Sequence, residues 1–132
     1  MKRLLCLPLL LVLTFVPACA SAPPNLTPVG QKAFNADQLL KDIDALGQTA
    51  RNLNATTGTL HLSDRDTAYI RDFSISASAG ILAYGQGAGT LAIVVTSYHN
   101  LQGQLSADAK ANDKLRFVLG VVDAAIAQIK VN

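Results

Sequence analysis

Four stretches of the chain place apolar side chains at helical spacing. Leu39, Ile43, Leu46, Ala50 and Leu53 recur at steps of four and three, and Leu40 widens the stripe. Ahead of them, Thr27-Pro28 supplies a capping hydroxyl followed by the residue favoured at the first helical position. Asp37 and Lys41, one turn apart, form a favourable pair on the outer face. Residues 54–62, "NATTGTLHL", read as a connector, with Gly58 among turn-forming threonines. Ser63 opens a second helix with Asp64 and Asp66 in its first turn, where carboxylates suit the positive end of the helix dipole. Its stripe is Ile70, Phe73, Ala77, Ile81 and Tyr84, and "GQGAG" at 85–89 breaks it. Leu91, Val94, Tyr98, Leu101 and Leu105 mark a third helix. Ser106 caps a fourth, carrying Leu115, Leu119, Val122, Ile126 and Ile129.

The β-branched run "LAIVVTSY" also suits a strand, but a lone strand has no partner here. Short connections between successive helices favour antiparallel neighbours. The pattern therefore predicts an all-α fold, an up-down four-helix bundle over residues 29–132. Helices of ~20 residues would make it ~30 Å long.

The N-terminus follows a different pattern. Lys2 and Arg3 precede an apolar run from Leu4 to Val16, and small residues follow at Ala18, Cys19, Ala20, Ser21 and Ala22. This is the layout of a secretory signal peptide, expected over 1–18, and the run falls short of the ~20 residues of a spanning helix. Ala18-Cys19-Ala20 and Ala20-Ser21-Ala22 both satisfy an A-x-A cleavage rule, which would release a diffusible protein. The other reading begins from Val16-Pro17-Ala18-Cys19, which resembles the lipobox of bacterial lipoproteins, with Pro17 as its departure. That resemblance implies lipid on the Cys19 thiol, cleavage just before it, and anchoring to a membrane. Ala20, where lipoproteins of the inner membrane usually carry Asp, implies the periplasmic face of the outer membrane.

Cysteine usage supports this reading. Cys6 lies within the leader, so a processed chain keeps Cys19 alone and can form no internal disulfide. Residues 19–28 then form the lipid-anchor cysteine and a Pro-rich tether. One acyl chain binds a membrane only reversibly, whereas two or more hold firmly.

Charge narrows the partners. Without Lys2 and Arg3, nine basic residues balance nine acidic ones, all aspartate, so a neutral body without a basic cluster argues against nucleic acid. No charged residue lies between Asp72 and Asp108. That uncharged stretch is either core or adjacent to lipid. Gly85 and Gly89 within it form a G-x-x-x-G, so a membrane-inserting or self-associating hairpin over 74–95 is an alternative. Gln86, His99, Asn100, Gln102 and Gln104 weigh against it, and the same glycines suit a simple turn.

Catalytic chemistry finds little support. His61 and His99 are the only histidines, too few for a zinc site, so neither metal nor cofactor is expected. Asp64 and Asp66 are better placed for the helix dipole than for acid–base work. "GQGAGT" lacks the lysine and the preceding strand of a phosphate loop. The stretch "LTPVGQKAFNADQLLKDIDALGQTARNLNA" resembles small helical proteins of bacteria and their phages, which implies helix and nothing about activity. The expectation is a non-enzymatic binding or structural module held to the membrane through lipid on Cys19, with an unknown envelope protein as partner. A carrier of a small hydrophobic ligand is a further alternative.

Overall fold

The computed structural model describes residues 23–131. The expected leader, Cys19 and the first residues of the expected tether lie outside the described residues. Within them the chain is all-helical, with no strand. Helix α1 spans Pro28–Asn54, α2 Asp64–Gly85, α3 Ala92–Gln104, α4 Ala107–Ala111 and α5 Asp113–Val131, with a 3-10 turn at Gly58–Leu60.

Local sequence accounts for the boundaries. The Thr27 hydroxyl accepts from the Gly30 amide at 3.1 Å, and Pro28 takes the first helical position. The Ser63 hydroxyl does the same for the Asp66 amide. The loop after α2 turns through Gly87 and Gly89, at φ +81° and +79°, values that side chains rarely tolerate. "LAIVVTSY" is helical from Ala92, because Val94 and Tyr98 fall on one buried face.

The predicted fourth helix is two helices. Ser106 caps only the short α4, its hydroxyl accepting from Ala109. Asn112 then turns extended, and its amide oxygen accepts from the backbone of Lys114 and Leu115, restarting the chain as α5. Two capping residues six positions apart divide what apolar spacing alone reads as one element.

The helices pair in register. Along α1 and α2, a Cβ on Gly85 would meet Ala36, one on Gly47 would meet Ser74, and Asn54 bonds Asp64, so the two run antiparallel. Between α2 and α3, Gly80 faces Val94, Phe73 stacks near Tyr98, and Asp66 bonds Ser106, again antiparallel. The remaining side of α1 packs on α5. Leu39, Leu46, Ile70, Ile81, Val94 and Leu115 are fully buried between them. Each such side chain contributes about 1.5–3 kcal/mol by leaving water.

Gly85 permits the closest approach. A Cβ there would lie 2.8 Å from the Ala36 Cβ, nearer than side-chain carbons come. Gly85→Ala is therefore expected to lower stability by about 1–2 kcal/mol in urea unfolding, overpacking outweighing alanine's better helix propensity. Gly120→Ala, where a Cβ meets nothing within 4 Å, is expected to be neutral or stabilising.

Candidate functional site

Antiparallel pairing gathers the start of α1, the end of α2, the start of α3 and the end of α5 at one end of the molecule. A groove of about 490 Å³ opens between them. Leu91, Val95 and Ile129 give it an apolar lining, and Tyr84, Thr96 and Lys32 add its polar groups. The Lys32 ammonium lies 5.7 Å from the centre of the Tyr84 ring, within range of a cation–π contact. Such a groove can take an apolar chain and offer one positive charge to an anionic head. Among its described lining residues no nucleophile is paired with a base. A second groove, of about 500 Å³, runs between α1 and α5 at the opposite end, past Leu53, Phe117, Val118, Asp113 and Lys114.

The one buried charged side chain among the described residues is Asp66, 3% exposed. Its carboxylate accepts from the Ser63 hydroxyl at 2.6 Å, the Ser106 hydroxyl at 2.7 Å and the Ser106 amide at 2.9 Å. Burial alone would raise its pKa. The bonds from Ser63 and Ser106, with the nearby Arg65 charge, prevail and hold it below the usual value near 3.8. The expected place of Asp66 in the first turn of α2 is correct, but its side chain does more than meet the dipole. It joins the N-cap of α2 to that of α4, across forty positions of sequence. Asp64 faces elsewhere, accepting from Asn54 at 2.8 Å, so the two carboxylates form no acid–base pair.

The other candidates are dispersed. His61 lies after the 3-10 turn, exposed, with Nδ1 3.0 Å from the Thr56 carbonyl. His99 is exposed on α3, its ring 6.5 Å from that of Tyr98. Among the described residues no group of three or more His, Cys, Asp or Glu could hold a metal ion. Gly85 ends α2 while Gly89 belongs to the following loop, so the G-x-x-x-G does not line one helix face. No helix among the described residues is long and apolar enough to cross a membrane.

Among the described aromatic residues Tyr98 is the most deeply buried. Its hydroxyl donates to the Leu119 carbonyl at 2.6 Å, fastening α3 to α5. Burial, then the negative charge of Asp123, push its pKa up to about 12, against a smaller opposing effect of Gln102. The phenol therefore stays neutral near pH 7 and serves as a structural donor. Asp42, half-buried on α1, is likewise shifted upward by burial.

Sequence spacing missed the groove and the Asp66 junction. Ser63-x-x-Asp66 has the spacing of a capping box, which signals the local half of the junction. Nothing near Asp66 in the chain points to Ser106. In comparison with known proteins, no known family matches the chain, and neither a curated protein nor a solved structure is found similar to it.

Proposed function

We propose that the protein is an exported lipoprotein whose helical body is held at a membrane through lipid on Cys19. The body acts there as a non-enzymatic binding or structural module for an envelope protein partner. The observation that carries this reading is the placement of Cys19: the lone cysteine after the leader stands at the leader's edge, nine positions before α1 begins. A cysteine kept for packing or for a disulfide has no reason to stand there. In this reading residues 1–18 are removed and residues 19–28 tether an up-down four-helix bundle, with α4 as a one-turn insert ahead of its last helix. The antiparallel registers of α1 with α2 and of α2 with α3 support that topology. Ala20 favours the periplasmic face of the outer membrane.

The hairpin alternative would have to remove Ala77, Ile81, Leu91 and Val94 from the core in order to insert. The ligand-carrier alternative draws support from the 490 Å³ groove, whose lining is mostly apolar. It predicts lipid co-purifying with the soluble Cys19→Ser protein.

Intact mass after expression in a Gram-negative host tests the proposal. The expected mass is that of a chain starting at Cys19 with acyl chains attached, recovered from membranes. Cys19→Ser is expected to transfer essentially all of the protein to the soluble fraction, since attached acyl chains contribute ~0.8 kcal/mol per buried methylene. An unmodified chain starting after Ala20 or Ala22 would overturn the anchor and make the protein diffusible.

A further inference from the structure

Large exposed apolar side chains concentrate at one end of the molecule. Among the described residues there are seven, and Leu26, Val29, Leu82 and Ile93 belong to the end where α1 begins, at 39%, 63%, 53% and 69% exposure. Leu26 lies against Gly30 at the first turn of α1. Leu82 and Ile93 flank the Gly87–Gly89 loop. Of the remaining three, Phe117 and Leu60 lie at the opposite end, and Ile75 is midway along α2.

Charge has the same polarity. Residues 26–36, 80–95 and 124–129 build this end and contain no Asp or Glu; their one charge is Lys32. The nearest carboxylates on α1 and α5 are Asp37 and Asp123, ~12–14 Å along their helices from the tip. Asp37 is already paired with Lys41. The opposite end carries Asp64, Asp108 and Asp113. Apolar side chains beside a cation, with acids excluded, are the surface chemistry that an anionic bilayer binds.

The chain's own path points the same way. Pro28 opens α1 at this tip, so the segment leading back to Cys19 leaves from it. Nine residues reach at most about 30 Å, enough to set the tip on a membrane that holds Cys19.

We propose that this tip, formed by Leu26, Val29, Leu82, Ile93 and Lys32, is a docking surface for anionic phospholipid. The bundle stands end-on to the membrane, the Gly87–Gly89 loop reaches the headgroups, and the groove behind Lys32 opens toward the lipid. The inference rests on the lipoprotein reading only for the direction of the tether. It leaves the hairpin in the bundle and requires contact rather than insertion.

The absence of tryptophan from the chain makes the test direct. The exported Cys19→Ser protein carries no lipid, so its behaviour does not depend on whether the wild type is acylated. Ile93→Trp and Phe117→Trp, both at exposed positions and both checked for helicity, are mixed separately with vesicles of brominated phosphatidylcholine with or without phosphatidylglycerol. The expected result is quenching of the Ile93→Trp protein by the phosphatidylglycerol vesicles, with the Phe117→Trp protein unaffected. Lys32→Gln is expected to weaken partition onto the same vesicles by about fivefold, and salt to weaken it further. Equal emission from both tryptophan variants would overturn the tip as the contact. Equal quenching with and without phosphatidylglycerol would overturn the charge selection. A concentration-dependent blue shift of the Ile93→Trp protein without vesicles would make the tip a contact between copies of this chain instead.

Discussion

Tyr98→Ala is expected to destabilise the protein by about 3–5 kcal/mol, the range for deleting a large buried aromatic. The side chain is 1% exposed and its ring centre lies 5.7 Å from that of Phe73, at a tilt of 52°. Truncation opens a void at the junction of α2, α3 and α5 and removes the hydrogen bond from Tyr98 on α3 to Leu119 on α5. Tyr98→Phe keeps the ring and loses only the hydroxyl. Leu119 lies within α5, where its carbonyl also serves the helix's own ladder, so no acceptor is orphaned and a loss of about 1 kcal/mol is expected. Urea unfolding of the two variants separates packing from bonding. Alkaline titration supplies the sign. Tyr98 has its pKa raised from 10 to about 12 on folding, so its contribution is complete below pH 10 and is lost as pH rises toward 12. Tyr98→Phe should flatten that part of the stability curve, and an unchanged alkaline slope would show that the phenol is not held as the structure has it.

Asp66→Ala is expected to cost about 2–4 kcal/mol, since it leaves the Ser63 hydroxyl, the Ser106 hydroxyl and the Ser106 amide without their acceptor. Asp66→Asn keeps the size but supplies one acceptor oxygen and adds donors where donors already point, so a smaller loss in the same direction is expected. The pH dependence distinguishes this carboxylate from the exposed ones. Its pKa is lowered on folding, so its stabilisation is complete above the unfolded value near 3.8 and is lost as pH falls below it. Asp42 acts in the opposite sense, because burial raises its pKa and acid relieves the cost of its charge. The difference between wild type and Asp66→Asn therefore isolates the junction. It should be constant from pH 7 to about 5 and shrink below about 4. A difference that does not shrink in acid would show that Asp66 is not ionised in the native protein. Both variants should also loosen α4, which hydrogen exchange at Ala109 and Lys110 would report.

The two residues with the largest expected effects were unequally visible in the chain. Tyr98 stands on an apolar stripe at steps of three and four, so its burial follows from periodicity. Its bond to Leu119 spans two helices and does not. The chain places Asp66 in a first turn, where a carboxylate normally faces water. That it is buried depends on α3 returning Ser106 beside it. Asn112 shows the converse: a purely local capping residue decides where α5 begins, and apolar spacing passes over it because Ala109 and Leu115 both face the core.

Apart from the division of the last helix at Asn112, the helical stretches, their buried faces and most of their caps were legible in the chain. These depend on neighbours within a few positions, where periodicity, capping chemistry and composition act. Tertiary structure alone decided which ends come together. It set Lys32 beside Tyr84 and Ile129, joined Asp66 to Ser106, and collected Leu26, Val29, Leu82 and Ile93 on one acid-free tip. Those meetings depend on helix length, register and the direction of each turn, and no local stretch of residues encodes their sum.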